Sequence, residues 1–416
     1  MDILRIATAG SVDDGKSTLI GRLLFETQSI TKDKIEALKA ASQRKGLDFV
    51  DLSLLTDGLI AEREQGITID VAHIYFNTPN RKYIIADTPG HLEYTRNMVT
   101  GASNASVSII LIDSRNGVSE QTKRHFYISS LLEIKNVIVA INKMDLVNYD
   151  FNRFEEIKKD FLSISSKVQK PNQKVSFIPI SSLFGENIVD KSEKMDWYQG
   201  KSLLQILEKV TIVDDKIQSL PFRLSVQMVI RPKSDEFHDF RGYAGKIASG
   251  SIKKGDLVAA LPSQHISKVK QILKDKEELE EAFQNESVVL TLEDNIDISR
   301  GNMLVKVGEQ PDNLKALTAR VCWMDVEPLT AGKTYLIQHG VNLQKAKILA
   351  INSILEIESF EEHTNVDELK LNQIGYVAFK LAGYVFADSF ESNPSNGAFI
   401  IIDEFSNNTV GVGFVI

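Results

Sequence analysis

Apolar and polar positions alternate in two different ways along this chain, and the change falls near Leu220. Before it, short apolar runs of strand length recur near 3–9, 69–76, 82–87, 107–113, 136–142 and 175–180, with helically spaced stretches between them. Leu19, Ile20, Leu23 and Leu24 mark the first helix and give it a face to lay on a sheet. Strands alternating with helices predict an α/β fold with a doubly wound, mostly parallel sheet. Beyond Leu220 the helical spacing fades, and short alternating runs take over at 222–230, 244–248, 257–261, 288–292 and 303–307. Turn residues part them, as in small β-barrels. Pro221 closes one linker and 308–313 looks like another, before a third region that is also β-rich. The expected domains are 1–215, then a β-barrel over 220–308 and a C-terminal β-barrel over 313–416. The charged run 274–281 reads as a solvated excursion from the first barrel, and 25–55 as a helix-rich, charged segment without an assigned role.

Ligands of open α/β sheets collect at the carboxyl ends of the strands, and the informative residues lie there. After the first strand comes Gly10-Ser11-Val12-Asp13-Asp14-Gly15-Lys16-Ser17-Thr18, a complete G-x-x-x-x-G-K-[ST] loop that opens a helix. Its glycines let backbone N–H groups converge on phosphate oxygens, and the positive helix end adds to the attraction. Lys16 is expected to reach the β- and γ-phosphates, and the Ser17 hydroxyl to bind Mg²⁺. Asp87-Thr88-Pro89-Gly90-His91 ends a second apolar strand, which sets a carboxylate beside the metal's water shell and the Gly90 N–H near the γ-phosphate. Asn142-Lys143-Met144-Asp145 ends a third. Guanine offers its N1–H and exocyclic amine to one carboxylate, whereas adenine turns a lone pair towards it, so Asp145 selects GTP over ATP. Losing that pair costs several kcal/mol, at roughly 1.5–3 per charged bond. Ser181-Ser182-Leu183 fits the remaining guanine loop, with a backbone N–H offered to the base carbonyl. Thr68, in Gln65-Gly66-Ile67-Thr68-Ile69-Asp70, completes the metal set with Ser17 and Asp87 and senses the third phosphate. Its N–H and that of Gly90 are both expected to hold the γ-phosphate and to lose it on hydrolysis. Two charge-assisted bonds amount to roughly 3–6 kcal/mol, close to the ~5.5 kcal/mol that moves an equilibrium from 1:99 to 99:1.

Composition narrows the setting. At 416 residues the chain fits two or three domains. Cys322 is the single cysteine, which rules out an internal disulfide, and its apolar surroundings suggest a buried small side chain. No apolar stretch approaches bilayer length and no signal peptide precedes the first strand, so a cytoplasmic protein away from membranes is expected. The net charge of −8 argues against a surface that coats nucleic acid.

These five segments, the block Arg241-Gly242-Tyr243-Ala244-Gly245-Lys246-Ile247-Ala248-Ser249-Gly250 with Gly255-Asp256, and the two trailing barrels resemble the elongation-factor-type GTPases over essentially the whole chain. Within that family, GSVDDGKSTL, DGLIAEREQGITIDVAHIYF, ADTPGHLEYTRNMVTGAS and the closing GAFIIIDEFSNNTVGVGF are similar to the GTPase (large) subunits of bacterial heterodimeric sulfate adenylyltransferases. The resemblance implies a divided reaction. Adenylyl sulfate and pyrophosphate form from ATP and sulfate on a smaller partner subunit of the ATP-pyrophosphatase type, and GTP hydrolysis here drives that uphill step of sulfate activation. The sequence carries one guanine-type site and no Ser-Gly-Gly-x-Asp-Ser loop for ATP. By the same resemblance His91 orients the attacking water, acting with Lys16 and Thr68, and Val12 and Ile67 form an apolar gate in front of it. Two departures stand out: Ser182 where relatives usually have alanine, and Asp14 at a position that translation factors vary. The rival reading is a translation factor that delivers aminoacyl-tRNA or a release factor to the ribosome. It shares all five motifs, but not the Asp13-Asp14 loop or the Tyr94-Thr95-Arg96-Asn97 run.

Overall fold

The computed structural model describes residues 2–44, 50–55, 71–88, 95–211, 220–232, 240–275 and 277–416. The chain divides into two compact units, Met1–Ile212 with Glu356–Glu361, and Val213–Leu355 with Glu362–Ile416. No helix among the described residues is long and apolar enough to cross a membrane.

The first unit is built on a six-stranded sheet of β1 (Ile3–Ala9), β2 (Ala72–Asn77), β3 (Lys82–Asp87), β4 (Val107–Asp113), β5 (Asn136–Asn142) and β6 (Lys174–Pro179). Its order is β2-β3-β1-β4-β5-β6, with only β2 antiparallel. All residues of β4 are buried, as a central parallel strand covered on both faces requires. Helices α1 (Lys16–Glu26), α2 (Lys32–Arg44), α3 (Thr95–Ala102), α4 (Glu120–Leu131), α5 (Phe151–Ser165) and α6 (Leu203–Lys209) complete the described part. Leu19, Ile20, Leu23 and Leu24 of α1 are buried in the cluster that holds Leu4, Ile6, Ile109 and Leu111 of the sheet. The apolar spacing of α1 thus translates directly into packing. The strand expected from residue 69 begins at Ala72 among the described residues; Ile69 and Asp70 lie outside them.

In the second unit, strands close into two rings. The region of the first holds β7 (Arg223–Ser225), β8 (Met228–Ile230), β9 (Gly242–Ser249), β10 (Ser251–Lys253), β11 (Leu257–Leu261), β12 (His265–Lys274), β13 (Glu277–Leu279), β14 (Glu281–Phe283), β15 (Ser287–Leu292) and β16 (Met303–Lys306), of which β10 and β14 pair only with each other in a separate two-stranded sheet. The ring's path β11-β16-β7-β9-β15-β12 is closed by pairing of β11 with β12. The second ring runs from β17 (Asp312–Trp323) to β25 (Thr409–Val415) and is closed by pairing of β19 (Thr334–His339) with β20 (Asn342–Glu356). Cys322 sits buried in β17 with its thiol free of any disulfide.

Two details depart from the pattern reading. The run 222–230 is two strands rather than one, with Val226 and Gln227 between them. In the charged run 274–281, Asp275, Glu277, Glu278 and Glu280 are exposed as expected, but the run is paired into the sheet, with Leu273 opposite Glu278 and Lys274 opposite Glu277.

A buried polar contact joins the two rings. Arg223 of β7 donates from Nε and Nη2 to the Asp388 carboxylate at 3.0 and 2.8 Å, and its side chain is only 3% exposed. Asn393 and Asn396 each add a donor to Asp388 Oδ2 at 2.9 Å. Phe386 packs beside this contact on Ala259, Leu261, Met303 and Val305. Removing one partner strands a buried charge, so Arg223→Met should destabilise this unit by about 3–5 kcal/mol in urea unfolding. Adding Asp388→Leu should recover part of that loss. An unchanged midpoint in the single variant would show that the pair carries no stability.

Candidate nucleotide site

The phosphate loop starts where β1 ends. Gly15 caps α1 with φ +93°, a left-handed value suited to glycine. A Cβ there would lie 2.4 Å from Asn142 Nδ2, so the same glycine makes the turn and admits the asparagine. No side chain caps α1 and no acidic residue occupies its first turn, which leaves those N–H groups and the positive helix end for an anion. Lys16 folds back beneath the loop, with Nζ donating to the carbonyls of Gly10 and Ser11, both at 2.9 Å. Burial lowers its pKa, opposed by the charges of Asp87, Asp14 and Asp13. Asp14 closes the loop from inside: its Oδ2 accepts the Ser11 N–H at 2.5 Å. Burial raises the Asp14 carboxyl, against the pull of that N–H and of Lys16. Asp14 is therefore a brace. Val12 is half-buried, Asp13 is exposed at φ +68°, and Ser17 and Thr18 lie in the first turn of α1.

Strand register brings the other groups alongside. Thr8 pairs with Asp87 across β1 and β3, and its Oγ1 donates to Asp87 Oδ1 at 3.1 Å, which fixes a buried carboxylate beside the loop. Thr88 Oγ1 returns a bond to the Thr8 carbonyl at 2.5 Å. Across β4 and β5, Asp113 is level with Asn142.

Asn142 uses both ends of its buried amide. Nδ2 donates to the Asp14 carbonyl at 2.7 Å, while Oδ1 accepts the Ser182 N–H and the Ser182 hydroxyl, each at 2.9 Å. The phosphate loop and the Ser181-Ser182-Leu183 loop are thereby tied through one side chain. Lys143 adopts φ +60° at the start of a 3-10 turn, Met144–Val147, and its Nζ lies 3.0 Å from the Asp113 carboxylate. Burial pushes Asp113 upward, but Arg115 and Lys143 outweigh it and hold its pKa at about 2. Asp145 Oδ1 accepts the Ser181 hydroxyl at 2.5 Å. Its carboxylate is thus held in place from the neighbouring loop.

Of the residues predicted from sequence, Gly10 to Thr18, Asp87, Asn142, Lys143, Asp145, Ser181, Ser182 and Leu183 occupy the loops at the carboxyl ends of β1, β3, β5 and β6. Thr68, Gly90 and His91, with Ile67 of the expected gate, lie outside the described residues. Three residues near the site went unnoticed in the sequence reading. Asp113 ends β4 and pairs with the lysine of the guanine motif, and the strand-end rule alone would have found it. Arg22 reaches from α1 to the carbonyls of Ser182 and Leu183. His125 is fully buried on α4, where burial first and then Lys16 and Arg124 drive its pKa down to about 3, so it is a neutral core histidine. Neither of the last two has a signal in local sequence.

Comparison with known proteins supplies the lineage. The Elongation factor Tu GTP binding domain matches residues 1–221, and the GTP-eEF1A C-terminal domain-like family matches 316–416. Sulfate adenylyltransferase subunit 1 of Bacteroides fragilis (strain YCH46) is 50% identical over 421 aligned residues, which take in 100% of this chain and 86% of that protein. The subunit 1 of Cellvibrio japonicus (strain Ueda107) is 48% identical over 417, with 100% and 87% covered. Among solved structures, the S. cerevisiae Ski7 GTPase-like domain bound to GTP covers 100% of this chain and 97% of its own, at TM-score 0.54 and 18% identity, a likeness of fold. The chain belongs to the sulfate adenylyltransferase subunit 1 family and carries an elongation-factor-type GTP-binding domain followed by two β-barrels.

Proposed function

We propose that this chain binds GTP with Mg²⁺ in the pocket just described, and that hydrolysis there drives adenylyl sulfate formation from ATP and sulfate on a partner chain. The observation that carries the reading is the Asn142 bridge, because it joins a phosphate-binding loop to a loop with base-reading chemistry at one strand end. In this reading the N–H groups of Gly10 to Thr18 and the Lys16 ammonium take the phosphates, and Asp145 takes the base edge with Ser181, Ser182 and Leu183 around it. Phosphoryl transfer needs positioning and electrostatics rather than covalent help, which suits a preset cradle of N–H donors. Ser17, Thr68 and Asp87 are an all-oxygen donor set fit for a hard divalent cation. Mg²⁺ held there would neutralise charge between the β- and γ-phosphates. His91 would orient the attacking water, with Val12 and Ile67 as its gate.

The same reading assigns 1–215 to GTP, and 220–308 and 313–416 to the two barrels. The subunit 1 name of its relatives supports a second subunit. We assign the smaller, ATP-pyrophosphatase-type chain to that role and place the complex in the cytoplasm, in the first step of sulfate assimilation.

Three outcomes test this. Asp145→Asn should shift preference from GTP to xanthosine triphosphate in a competition assay, since the new amide complements the altered base edge; an unchanged nucleotide profile would refute the base contact. His91→Ala should slow GTP turnover by ~10²-fold, the scale of a lost transition-state contact, with GTP affinity nearly intact. Equal losses in turnover and affinity would point to damage to the fold instead. Given ATP and sulfate, the isolated chain should make no adenylyl sulfate until the partner is added, and synthesis by the chain alone would reject divided labour.

A further inference from the structure

We propose that Arg22, on the helix that leaves the phosphate loop, is a positioning residue for base selection: it aligns the Ser182–Leu183 peptide so that the Leu183 N–H faces the 6-oxo group of guanine. This rests on the guanine-nucleotide reading above and names the device that sets its selectivity.

The geometry begins with a fork. Arg22 Nε donates to the Ser182 carbonyl at 3.2 Å, and Nη2 donates to the Leu183 carbonyl, so one planar group grips two successive peptides. The C=O and N–H of a trans peptide point in opposite directions. Drawing the Ser182 carbonyl towards α1 therefore turns the Leu183 N–H away from the helix. The Leu183 carbonyl does the same to the Phe184 N–H, which meets Ser181 Oγ at 3.4 Å.

The three N–H groups of this loop have different fates. That of Ser182 is committed to Asn142 Oδ1, and that of Phe184 to Ser181. The Leu183 N–H makes no hydrogen bond with an acceptor among the described residues. It is the donor left for a base carbonyl, and its direction is set by the arginine. Ser182 Oγ also bonds Asn142 Oδ1, so the asparagine stays anchored whatever the backbone donors do.

Glu26, on the same face of α1, steadies the fork. Its Oε1 lies 3.6 Å from Arg22 Nη1, with the two side chains 24% and 17% exposed. Gly185, at φ +82°, gives it room, since a Cβ there would come within 2.3 Å of that oxygen. The helix that carries Lys16 thus meets the base-reading loop at two adjacent points.

The test uses the full chain in magnesium buffer and titrates GTP against 6-thioguanosine 5′-triphosphate, which keeps the N1–H and the amine and replaces only the 6-oxo acceptor by sulfur. The wild type should prefer GTP by about tenfold, the worth of one good hydrogen bond. Arg22→Ala should shrink that preference to within about twofold, with affinity for the thio nucleotide nearly constant. Arg22→Lys keeps the charge but not the fork, so its preference should fall between the two. The inference is overturned if Arg22→Ala weakens both nucleotides equally, as a purely structural staple would, or if it keeps the wild-type ratio. Should that variant not fold, a full wild-type ratio in Arg22→Lys overturns it as well. A wild type that binds both nucleotides equally well defeats the 6-oxo contact. One that ignores both defeats the guanine reading itself, before any variant is made.

Discussion

One buried amide holds the nucleotide pocket together. Asn142 ends β5 with its nitrogen on the Asp14 carbonyl and its oxygen on Ser182, so two loops far apart in sequence are held at fixed separation. Such a link has little freedom to fail gently. Cutting it leaves a buried carbonyl on one side and buried donors on the other, and each orphaned group costs about 1–3 kcal/mol. Gly15 is glycine for the same reason, because a side chain there would occupy the space of the Asn142 amide.

Around that link, the protein's own groups hold the charges in place. Lys16 is buried beneath the loop on two carbonyls, with Asp87 and Asp14 close enough to favour its charged form. Asp113 is held ionised by Arg115 and Lys143, which keeps the guanine-motif lysine anchored at the carboxyl end of the sheet. A site whose dipoles and charges are already oriented spends little on reorganisation when phosphate binds or reacts. That suits the switch proposed above, whose output would be the gain or loss of one phosphoryl group.

Much of this was legible from sequence, for a physical reason. Phosphate and base recognition rely on backbone geometry and on fixed side chains at strand ends, so their residues fall in short contiguous runs such as Gly10 to Thr18 and Asn142 to Asp145. Asp113 is marked by its place at the end of an apolar strand, whereas Arg22 acts at long range, through contacts made only when helix and loop come together, and nothing in its own neighbourhood marks it. In the barrels, β12 escaped notice because its inward positions start with a polar residue, Ser267, beside an exposed Ile266, and a bulge between Val269 and Gln271 then shifts the buried phase from Val269 to Ile272. The charged run 274–281 was legible as largely exposed but not as paired, since ladder bonds need no apolar pattern. The translation-factor reading shared all five motifs but not the Asp13-Asp14 loop or the Tyr94 to Asn97 run, and kinship over the whole chain agrees with those two local differences.

Calorimetric titration of the purified chain with GTP, and separately with ATP, in magnesium buffer is the most direct measurement. GTP should bind at one site per chain and ATP should leave that site empty. Binding of ATP there in competition with GTP, or indifference to GTP, would contradict a pocket built to read guanine.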